Sequence, residues 1–385
     1  MDRYRIGIIG GGQLARMMQQ AAISLGVDVA LLSEAAGNSA AQVIPLTTVG
    51  DQDHLADLLA FADGVDAVTF DHEHVPTRHL HELEQVVAVR PGPDALSHAQ
   101  DKALMRKRLT SLGIPCPRFA ICEDAEDLVA FGDENGWPII AKTSRGGYDG
   151  KGVWKLDGPA DAQEPFANKK ETSAGEPVVI VAEEFIDFTR ELSAIVARSP
   201  SGQAVAYPIS ETRQANGVCA ETITPAPGLP EATAAELQQL ALRIAGELDV
   251  VGLLAVELMQ ARDGRIVVNE LAMRPHNTGH WTIDGAETSQ FENHLRAVLD
   301  LPLGSPELRA RHVVMTNVLG GTETDLTGAL LHVFARDRKV RVHLYGKPVT
   351  PGRKVGHVTT CSDDLEDALR RARHAAGYLM GDRNA

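Results

Sequence analysis

Residues 5–18 read RIGIIGGGQLARMM, which is a short apolar run, three glycines and the start of an amphipathic segment. The run Arg5–Ile9 predicts a buried strand that ends at Gly10-Gly11-Gly12. Apolar residues then recur at helical spacing and predict a helix closed by Gly26, namely Leu14, Met17, Met18, Ala21, Ala22 and Leu25. A second strand is predicted at Val27–Leu32. Such alternation of strands and helices predicts a small parallel α/β domain at the N-terminus.

The glycine turn itself allows two interpretations. Gly10, Gly12 and Ala15 match the GxGxxG/A pattern, in which backbone N–H groups and a helix dipole point at an anion. Glu34 lies about 20 residues further on, where a ribose-binding acid of an NAD site is expected. Alternatively, the glycines only permit a tight turn and close packing. The sequence leaves an NAD-dependent dehydrogenase open as a minor alternative.

The remaining chain divides at two breaks. Arg90-Pro91-Gly92-Pro93 ends the first unit, and Leu301–Pro306 is a Pro- and Gly-containing linker. Between them we predict a helix over Asp101–Leu112, Gly-rich strands after Trp137 and a long helix near Ala232–Leu248. Three strands and a helix follow the linker. The predicted fold is therefore α/β and α+β, with domains over 1–97 (Rossmann-like parallel sheet), 98–300 (central) and 301–385 (small C-terminal).

Composition limits the possible functions. The 385 residues carry a net charge of −15 without a basic stripe, which argues against a general nucleic-acid binder. Four scattered cysteines without a CxxC pair indicate thiols in a cytoplasmic protein. No run approaches ~20 apolar residues, so neither a signal peptide nor a membrane span is predicted.

A second glycine-rich segment runs from Ile139 to Val153 and reads IIAKTSRGGYDGKGV. It fails the Walker A pattern, because Arg145 stands where glycine is required and Gly152 follows Lys151. Its strand–loop–strand pattern fits a mobile flap whose N–H groups cover phosphates, with Lys142 as a fixed charge. An ordinary hairpin is the alternative.

Two glutamates are predicted to face each other. Leu253–Met259 and Arg265–Leu271 are strand-like, and Asp263-Gly264 is a strong hairpin dipeptide. Counting outward from that turn places Glu257 opposite Glu270, with Cβ atoms roughly 5 Å apart. Mg²⁺ would neutralise such a pair, since it takes one or two carboxylates plus nucleotide phosphates. A protonated glutamate or a slipped register is the alternative.

Two weaker signals complete the set. The stretch Glu183–Ile186 with Glu191 could hold adenine and ribose, although acids at a strand end are usually solvated. His276 and His280 lack the intervening glutamate of a zinc motif. Lys347, Arg353 and Lys354 place three cations within eight residues, which suits a substrate phosphate as well as a solvated turn.

Taken together, the chain resembles the ATP-grasp ligases, and within them the N5-carboxyaminoimidazole ribonucleotide synthases. The pieces that carry the resemblance are GIIGGGQLA (7–15), GGYDGKG (146–152), EEFIDFTREL (183–192), NELAMRPHNTGHWT (269–282) and YGKPVTPGRKVGHVT (345–359). The resemblance covers nearly the whole chain. It implies an ATP-grasp architecture and the carboxylation of 5-aminoimidazole ribonucleotide by ATP and bicarbonate, with a homodimer and no membrane or nucleic-acid partner.

The resemblance also implies roles for individual residues. Catalytic roles fall to Asp149, Lys142 and Arg274, with Asp149 orienting or deprotonating the substrate amine. ATP would be held by Lys102, Lys142, Gly147, Tyr148, Asp149, Gly150, Lys151, Gly152, Glu183, Glu184, Phe185, Ile186, Glu191, Gln214, Asn269 and Glu270. The ribonucleotide would be held by Gln13, Tyr148, Asp149, Arg274, His276, Asn277, Lys347, Arg353 and Lys354. Glu257 and Glu270 would hold Mg²⁺.

Two positions depart from the family pattern, and two further functions stay open. Gln214 stands where the family usually carries His, so its role near the nucleotide is left open, and Met273 stands in place of Pro. A non-catalytic nucleotide sensor, or an ATP-grasp ligase that uses formate or an amino acid, would share most of these motifs.

Overall fold

The computed structural model of the chain describes residues 3–147, 151–168, 178–215 and 217–383. Its N-terminal part is a parallel sheet with the strand order β3-β2-β1-β4-β5. The elements are β1 (Arg5–Ile9), α1 (Gln13–Leu25), β2 (Asp28–Ser33), β3 (Leu46–Val49), α2 (Leu55–Ala62), β4 (Ala67–Phe70), α3 (Thr77–Glu84), β5 (Ala88–Val89) and α4 (Pro93–Gln100). The predicted strand, glycine turn and helix are confirmed, and Gly26 ends α1 at φ +66°.

A small antiparallel sheet follows, with the strand order β6-β9-β7-β8. Its elements are α5 (Lys102–Ser111), β6 (Phe119–Cys122), α6 (Ala125–Asn135), β7 (Ile139–Thr143), β8 (Val153–Leu156), α7 (Glu164–Asn168) and β9 (Ile180–Glu184). The predicted helix is confirmed as α5, because Asp101 caps it by accepting from the N–H groups of Ala103 and Leu104. The predicted strand–loop–strand is also confirmed, with Lys142 paired to Val153.

The third sheet has nine strands among the described residues and is the largest. Its path is β15-β14-β10-β12-β13-β16-β18-β17, and β11 pairs with β10. The elements are β10 (Phe188–Arg198), β11 (Ala204–Ala206), β12 (Ser210–Ala215), β13 (Val218–Thr224), α8 (Glu231–Glu247), β14 (Gly252–Ala261), β15 (Ile266–Ala272), α9 (Thr282–Gly285), α10 (Gln290–Val298), β16 (His312–Leu319), α11 (Leu326–Arg336), β17 (Arg341–Leu344), β18 (Lys354–Ser362) and α12 (Leu365–Met380).

The C-terminal strands continue the central sheet. β16 pairs with β13, as in Glu221 opposite Thr316. This pairing satisfies backbone N–H and C=O groups that an open edge would leave to other chains. The strands still have an apolar cluster of their own against α11 and α12, which includes Val314, Val358 and Leu369. The sequence predicted the strands and α12, but neither α11 nor the shared sheet. The domain boundaries themselves remain predictions.

The hairpin of β14 and β15 differs from the predicted one at its turn. The N–H of Ala261 donates to the carbonyl of Arg265 at 2.8 Å, so three residues form the loop. Gly264 is the last of them and has φ +92°, a conformation that favours glycine. A two-residue turn centred on Asp263-Gly264 is therefore wrong, because the glycine takes the left-handed position after a type I turn.

A β-bulge further along restores the predicted pairing. Next to the turn, Leu258 pairs with Val268, and the register then shifts so that Glu257 pairs with Glu270. Asn269 is the extra residue on β15. The predicted apposition of the two glutamates is thus confirmed, although it comes from a longer turn and a bulge that compensate each other.

One apolar core connects the N-terminal sheet to the central sheet. It includes Phe70, Leu80 and Leu96 from the first region and Leu254 and Leu271 from β14 and β15. Close packing at such a junction fixes the sheet ends on either side of it relative to each other. Among the described residues, the helices are all too short or too polar to cross a membrane.

Candidate active site

Two adjoining pockets open where the three sheets meet. The first has a volume of about 310 Å³ and lies against the N-terminal sheet. The second, of about 330 Å³, lies between the small sheet and the central sheet. Both pockets are lined by the same six residues, namely Lys102, Glu257, Glu270, His276, Asn277 and Lys354. A molecule in either pocket therefore reaches one shared wall of charged and polar side chains.

The paired glutamates lie in this shared wall, and each has its own partner. Lys102 Nζ lies 2.8 Å from Glu270 Oε1, and His276 Nε2 lies 3.2 Å from Glu257 Oε1. Burial works to raise the pKa of Glu270, but Lys102 and then Lys142 outweigh it and hold the pKa below its ordinary value. The sequence left three explanations for two opposed glutamates, namely metal binding, a protonated glutamate or a slipped register. The structure adds a fourth, in which nitrogen atoms of Lys102 and His276 contact the two carboxyl groups.

The pair fits a magnesium ion on the chemistry of its donors. Glu257 and Glu270 are opposed on neighbouring strands, both are part-exposed, and both line the two pockets. Mg²⁺ prefers oxygen ligands and is commonly held by one or two carboxylates together with substrate phosphates. Among the described residues no group of three or more His, Cys, Asp or Glu is placed so that it could hold a metal ion by itself. Substrate oxygens would therefore complete the coordination shell.

Lys142 is held at the end of β7 by two neighbours. Its Nζ lies 2.8 Å from Glu183 Oε2 and donates to Asn269 Oδ1 at 3.1 Å. Glu183 is 2% exposed and also accepts from Arg106 Nε at 2.7 Å. Burial acts against ionisation of Glu183, but Lys142 and Arg106 overcome it and lower its pKa to about 2. The carboxylate of Glu183 thus supports Lys142, although the sequence placed this residue beside adenine.

Apolar side chains line part of the second pocket, and we refer to this part as the apolar slot. Phe185 and Ile186 follow the end of β9 and line the slot together with Ile140 and Met259. Glu184 also lines the pocket, but its carboxylate is bound by Arg118, whose Nη2 lies 3.0 Å from Oε2. The slot suits a planar aromatic ring, and of the residues predicted to cradle adenine Phe185 and Ile186 line it.

Glu191 and Gln214 come from neighbouring strands and line the same pocket. Burial and then the charge of Glu257 raise the pKa of Glu191 to about 7, while a hydrogen bond from Gln214 works in the opposite direction. Near neutral pH this carboxyl can accept or donate a hydrogen bond, which suits a ribose hydroxyl. Gln214 therefore contacts the predicted ribose residue directly.

Arg274 lines the first pocket, and a residue of the N-terminal region holds its side chain in place. Its Nε donates to Glu73 Oε2 at 2.8 Å, and the N–H of Met273 donates to Glu73 Oε1 at 3.3 Å. Glu73 belongs to the segment that follows β4. The sheet end therefore sets the position of a cation that the central sheet supplies.

The glycine turn before α1 is filled by a carboxylate of the chain itself. Asp71 accepts from the N–H of Gly12 at 3.0 Å and from the N–H of Ala15 at 2.7 Å. A Cβ on Gly12 would lie 2.1 Å from Asp71 Oδ2, so the glycine allows this close approach. The donors that a dinucleotide pyrophosphate would use are already engaged. The engaged N–H groups of Gly12 and Ala15 argue against the NAD alternative.

A third pocket, of about 260 Å³, continues from the first along the N-terminal sheet. It is lined by Lys347 and Arg353 together with Gly11, Asn38 and Ser39. Lys347 Nζ donates to Gln13 Oε1, and Gln13 lines the first pocket. The structure thus divides the predicted cation cluster, with Lys354 in the shared wall and the other two cations in the third pocket.

The base of the glycine flap is anchored to α5. The N–H of Lys102 donates to the carbonyl of Ser144 at 2.8 Å, and Arg145 Nε donates to Asp101 Oδ2 at 3.0 Å. Gly147 lines the first pocket. Among the described residues, Lys151 and Gly152 line none of the three pockets. Tyr148, Asp149 and Gly150 lie outside the described residues.

His276 and His280, which are four residues apart in the sequence, lie in different surroundings. His276 faces Glu257, whereas His280 is fully buried with its Nδ1 3.2 Å from Gln290 Nε2. Burial lowers the pKa of His280 well below its ordinary value. His280 is therefore a neutral core residue.

Sequence reasoning missed a polar run at the site. Residues 71–74 read Asp-His-Glu-His and all four line the first pocket. Their signal was their position, directly after a strand of a parallel sheet, where ligand sites gather. Arg106 was also missed, although it lies one helical turn after Lys102 on α5.

Three family models match the chain. An ATP-grasp domain matches residues 107–291, a ribonucleotide synthetase preATP-grasp domain matches 3–100, and a phosphoribosylaminoimidazole carboxylase C-terminal domain matches 313–371. The preATP-grasp match covers the N-terminal sheet, the ATP-grasp match covers the small sheet and the first strands of the largest sheet, and the C-terminal match covers β16 to β18 of that same sheet.

Named relatives agree with the family models. N5-carboxyaminoimidazole ribonucleotide synthase of Mycobacterium tuberculosis is 49% identical over 97% of this chain and 87% of its own length. The enzyme of that name from Corynebacterium ammoniagenes is 47% identical over 97% and 92%. The solved structure of the Thermus thermophilus enzyme is 36% identical and covers 99% of both chains with a TM-score of 0.85. An Aspergillus clavatus structure with ADP and the aminoimidazole ribonucleotide is 27% identical, with 98% and 99% covered and a TM-score of 0.87.

Proposed function

The chain belongs to the N5-carboxyaminoimidazole ribonucleotide synthases, an ATP-grasp ligase family of purine biosynthesis, and from this we propose how its pockets divide the reaction. ATP occupies the second pocket, and 5-aminoimidazole ribonucleotide occupies the first and third. Bicarbonate reacts at the wall between them. The observation that carries this assignment is that Glu257 and Glu270 line both pockets, together with Lys102, His276 and Lys354.

The apolar slot and the charged wall orient ATP along the second pocket. Adenine enters between Ile140, Phe185, Ile186 and Met259, and Glu191 accepts a ribose hydroxyl. The phosphates then point toward Lys142 and Lys102. Glu257 and Glu270 would hold Mg²⁺, which when bound would offset the negative charge on the phosphate oxygens.

Bicarbonate is a poor electrophile, so the first step activates it. One of its oxygens forms a bond to the γ-phosphorus while the bond to the β–γ bridging oxygen breaks, giving carboxyphosphate and ADP. Lys102 and Lys142 stabilise the transferring phosphoryl group, because fixed cations in a part-buried site act strongly on developing charge. Arg274 from the first pocket and His276 from the shared wall orient bicarbonate.

In the second step the ribonucleotide amine takes the carboxyl group. Its nitrogen forms a bond to the carboxyphosphate carbon, phosphate leaves, and the nitrogen loses a proton. The ribonucleotide phosphate sits in the third pocket between Lys347 and Arg353, which supply opposite charge. We retain Asp149 as the group that orients or deprotonates the amine, on the sequence pattern.

Carboxyphosphate hydrolyses unless water is excluded, so the site needs a cover. The loop between β7 and β8 is the proposed cover, because Gly147 already borders the first pocket and α5 anchors the loop base. Closure over both pockets would protect the intermediate between the two steps.

We also propose that the enzyme is a cytoplasmic homodimer. The four cysteines are free thiols, in keeping with a reducing compartment. On α11, Leu331 is 79% exposed and Phe334 is 46% exposed, which offers an apolar surface for association. Sedimentation equilibrium of the purified protein and of Leu331→Asp tests this, and a monomeric wild-type protein would contradict it.

The reaction itself is tested by ADP release from Mg-ATP. We expect release to require 5-aminoimidazole ribonucleotide, and the labile carboxylated product to form only when bicarbonate is present. If the ribonucleotide does not stimulate ADP release, the proposed acceptor is wrong and other amines must be tried. Binding of ATP without turnover under any of these conditions would favour a nucleotide sensor.

A further inference from the structure

A closed ring of contacts lies behind the phosphate end of the second pocket. Arg106 Nε donates to Glu183 Oε1 at 2.7 Å, and Glu183 Oε2 lies 2.8 Å from Lys142 Nζ. Lys142 Nζ donates to Asn269 Oδ1 at 3.1 Å, and the carbonyl of Asn269 accepts from Arg106 Nη2 at 2.7 Å. Four residues are therefore linked in a circle, of which Lys142, Glu183 and Asn269 line the second pocket and Arg106 does not.

The side chain of Arg106 donates three hydrogen bonds in this region, and two of them belong to the ring. Its side chain is 0% exposed, and a third donor, Nη1, reaches the carbonyl of Val268 at 3.1 Å. A buried charge is costly unless it is paired and hydrogen-bonded. The fixed fork of a guanidinium supplies donors to one carboxylate and two carbonyls at once, whereas an ammonium cannot match this geometry.

The two carbonyls belong to Val268, the last residue before the register shift in β15, and to Asn269, the extra residue of the bulge. Arg106 holds Val268 and Asn269, and the residue after them is Glu270. Without the bulge at Asn269, the register near the turn would place Glu257 opposite Asn269 instead of Glu270. The same guanidinium therefore fixes both the phosphate lysine and the register that creates the glutamate pair.

Helix α5 carries two cations that contact neighbouring residues of β15. Lys102 and Arg106 are four residues apart, so they project from one face of the helix. Lys102 reaches the side chain of Glu270, and Arg106 reaches the backbone just before it. Within the described part of the chain, Arg106 lines none of the three pockets.

We propose that Arg106 is the positioning residue of the phosphate-binding centre, acting through Glu183 and Asn269 on Lys142 and through the bulge on the Glu257–Glu270 pair. This inference rests on the proposed function, because it requires the second pocket to hold a nucleotide. Its consequence is selective. Loss of Arg106 weakens binding of the phosphates of ATP and ADP and leaves the adenine slot intact.

The test measures the inhibition constants of two competitive inhibitors of ADP release, namely adenosine and an ATP analogue with a nonhydrolysable β–γ bond. Both are measured in Arg106→Met and Arg106→Lys, with Arg108→Met as the control. Arg108 lies on the same helix but is 40% exposed and bonds to the carbonyl of Glu247. For Arg106→Met we expect the inhibition constant of the analogue to rise about tenfold or more, as for loss of a buried charged hydrogen bond. The inhibition constant of adenosine should stay within about twofold of its wild-type value, because adenosine has no phosphates and so makes none of the affected hydrogen bonds.

Arg106→Lys should also weaken inhibition by the analogue more than inhibition by adenosine, but by a smaller factor. The charge facing Glu183 remains in this variant, while the contacts to the two carbonyls weaken. The lysine variant also carries the test if the methionine variant does not fold. Equal loss of analogue and adenosine affinity, or no loss of either, would overturn the role of Arg106. Failure of the wild-type protein to bind either inhibitor would instead overturn the proposed function.

Discussion

Glu257 and Glu270 lie directly opposite each other on β14 and β15, and a side-chain nitrogen contacts each of them from a different direction. Lys102 approaches Glu270 from α5, and His276 approaches Glu257 from the segment after β15. Both glutamates still line the two pockets. Glu257 and Glu270 would be the residues that hold Mg²⁺ together with the phosphates of ATP.

Replacing Glu270 with Gln should abolish most of the phosphoryl transfer. The variant keeps the shape of the site but loses a negative charge and one charged metal ligand, so we expect kcat for ADP release to fall by about 10²–10³-fold, the range seen when one electrostatic group is removed. Steady-state assays across a range of Mg²⁺ concentrations provide the measurement. Glu287→Gln, in an exposed pair with Arg309, is the matched control and should stay near wild type. Equal activity of both variants would contradict the metal assignment.

Replacing Gly12 with Ala should destabilise the N-terminal sheet. The new Cβ would lie 2.1 Å from Asp71 Oδ2, and the carboxylate cannot retreat without losing the two N–H groups that it accepts. We expect a loss of about 1–3 kcal/mol in the free energy of unfolding, measured in urea. Gly158→Ala has no atom within 4 Å of the new Cβ and should be close to neutral. NADH titration of the wild-type protein should show no binding.

Replacing Glu73 with Gln should weaken ribonucleotide use selectively. Glu73 holds Arg274 through a 2.8 Å contact, so a neutral amide would loosen this cation at the first pocket. We expect the KM for the ribonucleotide to rise about tenfold, since one charged hydrogen bond is lost, while the KM for ATP stays constant. Glu82→Gln on the exposed side of α3 serves as the control. A parallel rise in both KM values would show that Glu73 only supports the fold.

His294 should make stability depend on pH. It is fully buried, with Nε2 2.8 Å from Thr69 Oγ1, and Nδ1 accepts from the N–H of Leu253 at 3.1 Å. Burial lowers its pKa from 6.5 to about 3. Below pH 6.5 the unfolded chain binds a proton that the folded chain refuses, so stability falls as the pH drops toward 3 and is constant above about 6.5.

The slope from this residue should be about 1.4 kcal/mol per pH unit. Urea unfolding of the wild-type protein and of His294→Gln between pH 4 and 7.5 would measure it. The variant is expected to be less stable at pH 7 and to lose this part of the slope. Identical slopes would show that His294 is charged in the folded protein.

Local patterns were sufficient for much of this protein. Residues 5–26 specified their strand, turn and helix because apolar spacing and glycine conformation act within a few residues. The hairpin residues also placed Glu257 opposite Glu270. That pairing was reached through a two-residue turn that does not exist, because a sequence count cannot show a bulge whose position depends on Arg106 from another element.

The sequence by itself determined the elements, the candidate ligands and, through its motifs, the family. Tertiary structure alone decided which partners those ligands have. Glu183 supports Lys142, Asp71 fills the glycine turn, and Glu73 holds Arg274 across 201 positions of the chain. The physical reason is that a charge buried in a folded protein takes its nearest partner in space. Such partners come from chain segments whose separation in sequence carries no signal.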